Sequence, residues 1–303
     1  MQLNLRSIFI FGLIAIALYT LTTNYIFTTK ASTTRILSAP PKPPKLPTVT
    51  ARYHNRQATV ELAGEYQNSY DDFWTFLPSW KPHLLDAIDR YVDSATVFVD
   101  AGTWEGPALF YAASKARMAL GIEADRLAYR AVKAHLESNP AFLKNTVLTV
   151  TCLSDRPEKV RFAGNGEGTS AVERVPLKFA DEKLRVGDHQ VYKVTCETLP
   201  DYLLEKGVKG NAKLVVKMDL QGTEAYLLPS LHEWVAQRTV KPVFFLNMHE
   251  TLANAKGNNA AKILQFVHLF KFCGRELKEL TDCASITMDT LEKAQDMILA
   301  DYR

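Results

Sequence analysis

The chain has 303 residues and 47% hydrophobic content, enough for one large α/β core or two small ones. Its 36 basic and 33 acidic residues leave a net charge of only +3, which offers no electrostatic footprint for nucleic acid and excludes it as an expected partner. The four cysteines, Cys152, Cys196, Cys273 and Cys283, match no zinc spacing, and no metal ligand set is read from the sequence.

In chain order the first feature is Ser7–Phe27, a run without a charged residue that follows Arg6. It has about the length that crosses a bilayer as a helix. No A-x-A cleavage pattern follows it, so an uncleaved signal-anchor is favoured over a removed signal peptide. Residues 1–29 are therefore read as a membrane anchor contacting lipid through residues 7–27. Long C-terminal domains translocate largely regardless of flanking charge. The expectation is a single-pass protein of the Golgi or another secretory membrane, with its C-terminal domain in the lumen. Residues 30–50 form a linker whose core, Ser38–Pro47, is too rich in proline for helix or sheet and reads as an extended spacer. No N-x-S/T sequon is present.

Residues 51–303 read as one domain of alternating strands and helices. An aromatic and acidic segment over 58–80 holds Phe73, Trp74, Phe76 and Trp80; its rings are candidate caps for a bound acceptor, or simply core. A helix over Leu84–Val92 leads into strand Val97-Phe-Val-Asp100 and a turn, Gly102-Thr-Trp-Glu-Gly106. A helix over Pro107–Lys115 and a second strand ending at Glu123 complete a β-α-β unit. Gly102 lets the backbone approach a ligand, and the following helix offers N–H groups to a carboxylate or phosphate. Glu123 is placed to accept hydrogen bonds from ribose hydroxyls. The turn lacks the three glycines of a dinucleotide fingerprint, and Trp104 and Glu105 stand where a pyrophosphate would pass. The acidic Asp100-x-Gly102 turn suits a cationic ligand such as S-adenosylmethionine better.

Further along, a helix over Asp125–Glu137 ends at Asn139-Pro140, and Thr146–Cys152 reads as a third buried strand closed by Leu153-Ser-Asp155. Shorter strands at Glu158–Phe162 and Val191–Thr195 flank a glycine-rich loop, Gly164–Ser170. A short helix over Leu199–Lys206 precedes a fourth strand, Lys213–Met218, which ends at Asp219. A helix over Glu224–Trp234 follows, with Glu224 read as stabilising its N-terminus. A fifth strand, Pro242–Met248, ends in His249-Glu250, and a helix over Ala260–Phe272 precedes a tail of strand and helix. Cys152 and Cys196 are read as ordinary buried thiols; Cys273 and Cys283 are close enough to pair in a lumenal domain. Acidic or imidazole residues end five successive strands, and in open α/β sheets ligands bind at those ends.

With these pieces in place, the chain resembles the FkbM family of S-adenosylmethionine-dependent methyltransferases from about Thr96 to Glu250. The resemblance is carried by Val99-Asp-Ala-Gly102, Gly121-Ile-Glu-Ala124, Leu153-Ser-Asp155, Thr169-Ser170 and Thr198-Leu199, and above all by Lys217-Met-Asp-Leu-Gln-Gly-Thr-Glu224. It implies a doubly wound, mostly parallel, seven-stranded Rossmann-like methyltransferase sheet with helices on both faces. It further implies that Asp100, Gly102 and Thr103 line the methionine end of the cofactor, that Glu123 holds the ribose, and that Ser154 and Asp155 flank the adenine. Asp219 would lie beside the sulfonium and the substrate. Gln221 and Asn247 stand where the family carries glutamates, while His249 is kept and followed by Glu250. The expected activity is O-methylation of a small hydroxylated or carbohydrate acceptor, with Asp219, His249 and Glu250 as catalytic candidates and His249 as general base. A Mg²⁺-assisted variant would draw on Asp219, Asn247 and Glu250, although the spacing does not demand it. Competing classes are a membrane-tethered binding protein that has lost catalysis and a nucleotide-dependent oxidoreductase.

Overall fold

The computed structural model describes residues 49–53, 59–63, 73–74, 77–164, 166, 171–173, 185–186, 189–248, 255, 258–278 and 280–302. All of them belong to the unit Lys45–Arg303. The membrane-anchor and linker expectations for residues 1–48, along with Phe76, His249 and Glu250, lie outside the described residues. Among the described residues no helix is long and apolar enough to cross a membrane.

The chain opens with a hairpin, β1 (Val49–Arg52) and β2 (Thr59–Leu62), followed by α1 (Pro82–Tyr91). In α1 the buried positions Leu84, Leu85, Ala87, Ile88 and Tyr91 recur at helical spacing, so one face of the helix is committed to the core. Next come β3 (Val97–Ala101), α2 (Pro107–Ala113), β4 (Met118–Glu123), α3 (Arg126–Ser138), α4 (Pro140–Leu143) and β5 (Thr146–Val150). The Asp125 carboxylate caps α3 by accepting from Leu127 N, which satisfies one of the free donors of the first turn. A second sheet follows: β6 (Cys152–Leu153), β7 (Glu158–Gly164), β8 (Ala171–Glu173), β9 (Arg185–Val186) and β10 (His189–Glu197). The chain then returns through α5 (Leu199–Glu205), β11 (Leu214–Met218), α6 (Glu224–Ala236), β12 (Val243–Asn247) and α7 (Asn259–Val267). It closes with β13 (Phe272–Arg275), β14 (Leu280–Asp282), α8 (Met288–Glu292) and β15 (Asp296–Ala300).

The main sheet runs β14-β13-β15-β12-β11-β3-β4-β5. β3, β4, β5, β11 and β12 are mutually parallel, and β15 is inserted antiparallel between β12 and β13. Without the edge strand β14, this is a doubly wound, mostly parallel sheet of seven strands with one reversed strand, in agreement with the expected Rossmann-like methyltransferase architecture. Alternation along each strand divides the core. Val97, Val99, Ala101, Leu214, Val216, Phe244 and Leu246 pack with α5 to α8, whereas Phe98, Val215, Val243 and Phe245 pack with α1 to α3. Burial of side chains such as Phe98, Phe244, Phe245 and Phe266 contributes about 1.5–3 kcal/mol each.

Three expectations are corrected. Thr146–Cys152 is not one buried strand: β5 ends at Val150 as a partly exposed edge, and after Thr151 the chain crosses to β6 in the second sheet. The helix expected over Ala260–Phe272 ends at Val267, because Phe272 already begins β13. Cys152 and Cys196 are not free thiols; they face each other across the parallel β6–β10 pair and form a disulfide. Cys273 and Cys283 are joined as well, and no free cysteine remains.

Candidate functional site

A cavity of ≈ 540 Å³ opens at the carboxyl ends of the central strands. Its walls are Gly102–Trp104 after β3, Ile122–Asp125 across the end of β4, Thr151–Ser154 at the crossing into β6, and Asp219–Gln221 after β11. Trp80 and Lys81, immediately before α1, close one side. The volume falls within the ~300–1,000 Å³ of small-molecule sites.

Register explains the floor. Asp100 and Lys217 are direct partners across the β3–β11 pair, so their side chains emerge together on one face of the sheet. Lys217 Nζ donates to Asp100 Oδ1 at 2.8 Å and to the Gly102 carbonyl at 2.8 Å. Burial opposes the ammonium, but the Asp100 and Asp219 carboxylates outweigh it and hold the Lys217 pKa above its ordinary value. Asp100 is fully buried and is not among the lining residues; Lys217 stands at the wall in its place.

Glycine geometry explains the turn. Gly102 has φ 77, and a Cβ there would lie 2.1 Å from the Asp219 carbonyl oxygen. The glycine is required for the close approach of two strand ends, a tighter demand than the ligand contact read from the sequence. Several groups around the helix start are already committed. Trp104 N donates to Glu123 Oε2 at 2.7 Å, Gly106 N to the Thr103 carbonyl at 2.9 Å, and Pro107 has no N–H. Thr103, although it lines the cavity, directs its hydroxyl to the Asp100 and Ile122 carbonyls.

Glu123 ends β4 at the cavity wall, 7% exposed, with Oε1 accepting from Asp125 N and Oε2 from Trp104 N. Burial pushes its pKa up to about 7, against the pull of those two N–H groups. A carboxylate has lone pairs left after two such bonds, so Glu123 retains capacity to accept from a ligand. Asp125 carries its other oxygen to Gly166 N at 2.7 Å, and the Gly166 carbonyl accepts from Trp104 Nε1 at 3.0 Å. These bonds tie Gly166 of the glycine-rich loop to two residues of the cavity wall; Asn165 and residues 167–170 lie outside the described residues.

On the β11 side, Asp219 accepts from Lys81 Nζ at 3.3 Å, from Gln221 Nε2 at 3.4 Å and from the Asn247 side chain. Burial raises its pKa, but Lys217, Lys81 and the hydrogen bonds overcome that and hold the carboxyl below its ordinary value. Asp219 is thus a fixed negative charge, ill-suited to take a proton. Gln221 sits at φ 53, in the left-handed region. Glu224 accepts from Leu220 N and Gly222 N, which ties the 220–222 turn to the start of α6.

Ser154 lines the cavity and donates to Glu158 Oε1 at 2.5 Å, whereas Asp155 is turned to Ser154 and Arg156 and does not line it. The fold therefore brings Gly102, Thr103, Glu123, Ser154 and Asp219 to one cavity and leaves Asp100 and Asp155 off its wall. Trp80, one of the four aromatic residues named as candidate caps, does line the cavity, whereas sequence reasoning missed Lys81 and the Cys152–Cys196 bridge. No local signal announces them, since each acquires its place through long-range packing. Among the described residues no group of three or more His, Cys, Asp or Glu is arranged to hold a metal ion.

No protein-family model and no curated protein sequence matches the chain. Among solved structures, it is similar to the methyltransferase FkbM from Methylobacillus flagellatus KT, with 13% identity and a TM-score of 0.40 over 78% of this chain and 56% of that one. It is also similar to the T. thermophilus 16S rRNA N2 G1207 methyltransferase solved with AdoMet and guanosine, with 15% identity and a TM-score of 0.40 over 88% and 53%. A third is the precorrin-6y C5,15-methyltransferase from Geobacter metallireducens, with 10% identity and a TM-score of 0.33 over 63% and 69%. The chain spans about half the length of the first two. The fold assignment rests on strand order, and the FkbM resemblance on the sequence motifs.

Proposed function

We propose that the chain is an S-adenosylmethionine-dependent O-methyltransferase of FkbM type acting on a hydroxylated small molecule or glycan. The observation that carries this reading is the cavity at the carboxyl ends of β3, β4 and β11, with Glu123 presented from the tip of the second strand of the β-α-β unit. Its lining fits a cationic nucleoside. Glu123, Asp125, Glu158 and Asp219 supply acidic groups, while Ile122, Leu153, Val160 and Phe162 supply apolar wall. Gly102, Thr103, Glu123, Ser154 and Asp219 would hold the cofactor, with Glu123 accepting from ribose hydroxyls.

Those residues would hold the cofactor, which when bound would supply an electrophilic methyl group, on a sulfonium able to leave as a neutral thioether, to an acceptor hydroxyl that must give up its proton. The chain's task is alignment, exclusion of water and proton removal. Asp219, held charged, serves as an electrostatic partner, and His249, with Glu250 beside it, is the proposed proton acceptor. A reading without turnover, as a binding protein, draws support from the engagement of Asp219 by Lys81, Gln221 and Asn247 donors.

We extend the proposal to location: a single-pass anchor through residues 7–27 with the domain in a secretory lumen. The two disulfides support it, since such bonds persist in oxidising compartments. The test is calorimetric titration of the full-length chain with S-adenosylhomocysteine, with NAD as comparator and Glu123→Ala as control, followed by an acceptor screen with labelled cofactor. Binding that weakens in Glu123→Ala, followed by turnover, supports the enzyme. Binding without turnover of any hydroxylated acceptor supports the binding protein, and NAD binding alone overturns both.

A further inference from the structure

The second sheet has two faces, and only one of them belongs to the cavity. Val160 and Phe162 of β7 line it, as does Cys196 of β10. By strand alternation Lys159, Arg161, Lys193 and Thr195 turn to the opposite face, where Lys159, Lys193 and Thr195 are exposed. Register sets Lys193 of β10 directly opposite Arg161 of β7, and Lys159 opposite Thr195. Lys159 is therefore the diagonal neighbour of Lys193, and three cations share a small area of sheet. Helix α3 extends the row. Arg126 Nη2 donates to the Lys193 carbonyl at 3.4 Å, which seats the exposed start of α3 against β10, and the exposed Arg130 follows one turn later.

This arrangement works against the sheet's own stability. Like charges directly opposite one another weaken an antiparallel pair, and like charges four residues apart weaken a helix. Local acids do not relieve it: among the described residues Arg126, Arg130, Lys159 and Lys193 form no ion pair. Register brings two acidic positions alongside, Glu173 of β8 opposite Arg161, and Glu197, two residues beyond Thr195 and bonded to Thr151. Lys133, next along α3, is paired with Glu137 and changes nothing. The cations Arg126, Arg130, Lys159, Arg161 and Lys193 outnumber those two acids, so the face is net positive in a chain whose whole net charge is +3. The cavity on the other side of the same sheet is acidic by contrast.

We propose that this outer face, Lys159, Arg161 and Lys193 with Arg126 and Arg130, is a docking surface for a linear acidic polysaccharide, which it holds beside the cavity. An extended, solvent-facing row of cations matches sulfate or carboxylate groups repeated along a chain. Phe162 and Tyr192, the aromatic residues of β7 and β10, are buried on the other face, so these strands offer no stacking platform for a single-stranded nucleic acid. Compartment argues against an anionic membrane: the negative lipid potential belongs to the cytoplasmic leaflet, whereas the two disulfides belong to an oxidising space. The surface stands independently of the methyltransferase reading, and the choice of a polysaccharide rests on the lumenal one.

The test titrates heparin, a sulfated polysaccharide, into the full-length chain, with neutral dextran, a mixed-sequence RNA and phosphatidylserine vesicles as comparators. Wild type is compared with the double variants Lys159→Glu, Lys193→Glu and Lys159→Arg, Lys193→Arg. The expected result is heparin binding that weakens roughly tenfold from low to physiological salt, persists in the arginine variant and falls roughly tenfold in the glutamate variant. The glutamate variant carries its own control of folding. Lys193→Glu puts an opposite charge across from Arg161, so the urea midpoint should equal or exceed that of wild type. No heparin binding by wild type, dextran bound as well as heparin, or undiminished binding in the glutamate variant overturns the proposal. So does a lower midpoint in the glutamate variant, or RNA or vesicles bound more tightly than heparin. S-adenosylhomocysteine affinity should be the same in all three proteins; its absence from all three would remove the methyltransferase reading and leave the docking surface standing.

Discussion

The carbonyl oxygen of Asp219 occupies the space that a Cβ on Gly102 would need, 2.1 Å away, so the ends of β3 and β11 are held together through a missing side chain. The contact is backbone to side chain, and no flexible terminus can move aside. Gly102→Ala would also force alanine to φ 77. The expected outcome is a loss of about 2 kcal/mol or more in stability, with cofactor affinity falling at least tenfold as the two strand ends separate. Urea denaturation and S-adenosylhomocysteine titration measure the two effects. Unchanged affinity would show that the strand ends do not set the cavity.

Asp100 and Lys217 form a buried pair that register creates. Lys217→Met would strand a carboxylate that is fully buried, and breaking such a pair costs about 3–5 kcal/mol. The double variant Lys217→Met, Asp100→Leu is expected to recover much of that loss, because removing both charges also removes the desolvation penalty. Denaturation midpoints across the four-corner cycle test this, and additive losses would contradict it.

Glu123 gives the site a pH dependence. Its pKa is raised by burial from the ordinary 4.5 to about 7. Between those values the unfolded chain has released a proton that the folded chain keeps. The folded state therefore binds more protons, and this group's contribution to stability, full below pH 4.5, declines up to about pH 7. Ligand hydroxyls donating to the carboxylate favour its ionised form, so affinity runs the other way. S-adenosylhomocysteine should bind about tenfold more tightly at pH 8 than at pH 6. Glu123→Gln should flatten that profile while weakening binding; a wild-type profile flat over this range would take Glu123 out of the contact.

Much of the fold was legible because strand, turn and helix signals alternate without interruption from Val97 to Asn247. Glu123 and Asp219 were found because a strand's last residue is fixed by local pattern. What the sequence withheld was register and crossing. Nothing local tells that Lys217 lies opposite Asp100, so Asp100 was read as a ligand-facing acid. Nor does anything local tell that Thr151 leaves one sheet for another, which moved Asp155 off the wall and set Cys152 against Cys196. Lys81 was invisible for the same reason: it reaches Asp219 from 138 positions away.

The Cys152–Cys196 bridge gives the last prediction. Both cysteines line the cavity, and the bridge fastens the Thr151–Ser154 wall to β10. Thr151 Oγ1 donates to the Thr195 carbonyl, and Ser154 N to the Glu197 carbonyl, so the bridge lies between two supporting bonds. Closing a separation of 44 residues, it should stabilise the domain by about 4 kcal/mol on the loop-entropy model; the Cys273–Cys283 bridge, with a separation of 10, should give about 3. The two differ in what else they touch, because Cys273 and Cys283 lie in the core by β13 and β14, away from the cavity wall. Cys152→Ser with Cys196→Ser should lower both stability and S-adenosylhomocysteine affinity. Cys273→Ser with Cys283→Ser should lower stability and leave affinity within about twofold while the domain stays folded. Thermal denaturation paired with calorimetry on both double variants tests the distinction. Equal affinity losses in the two would mean that the bridges act only through global stability and that the wall between β5 and β6 holds its shape without help.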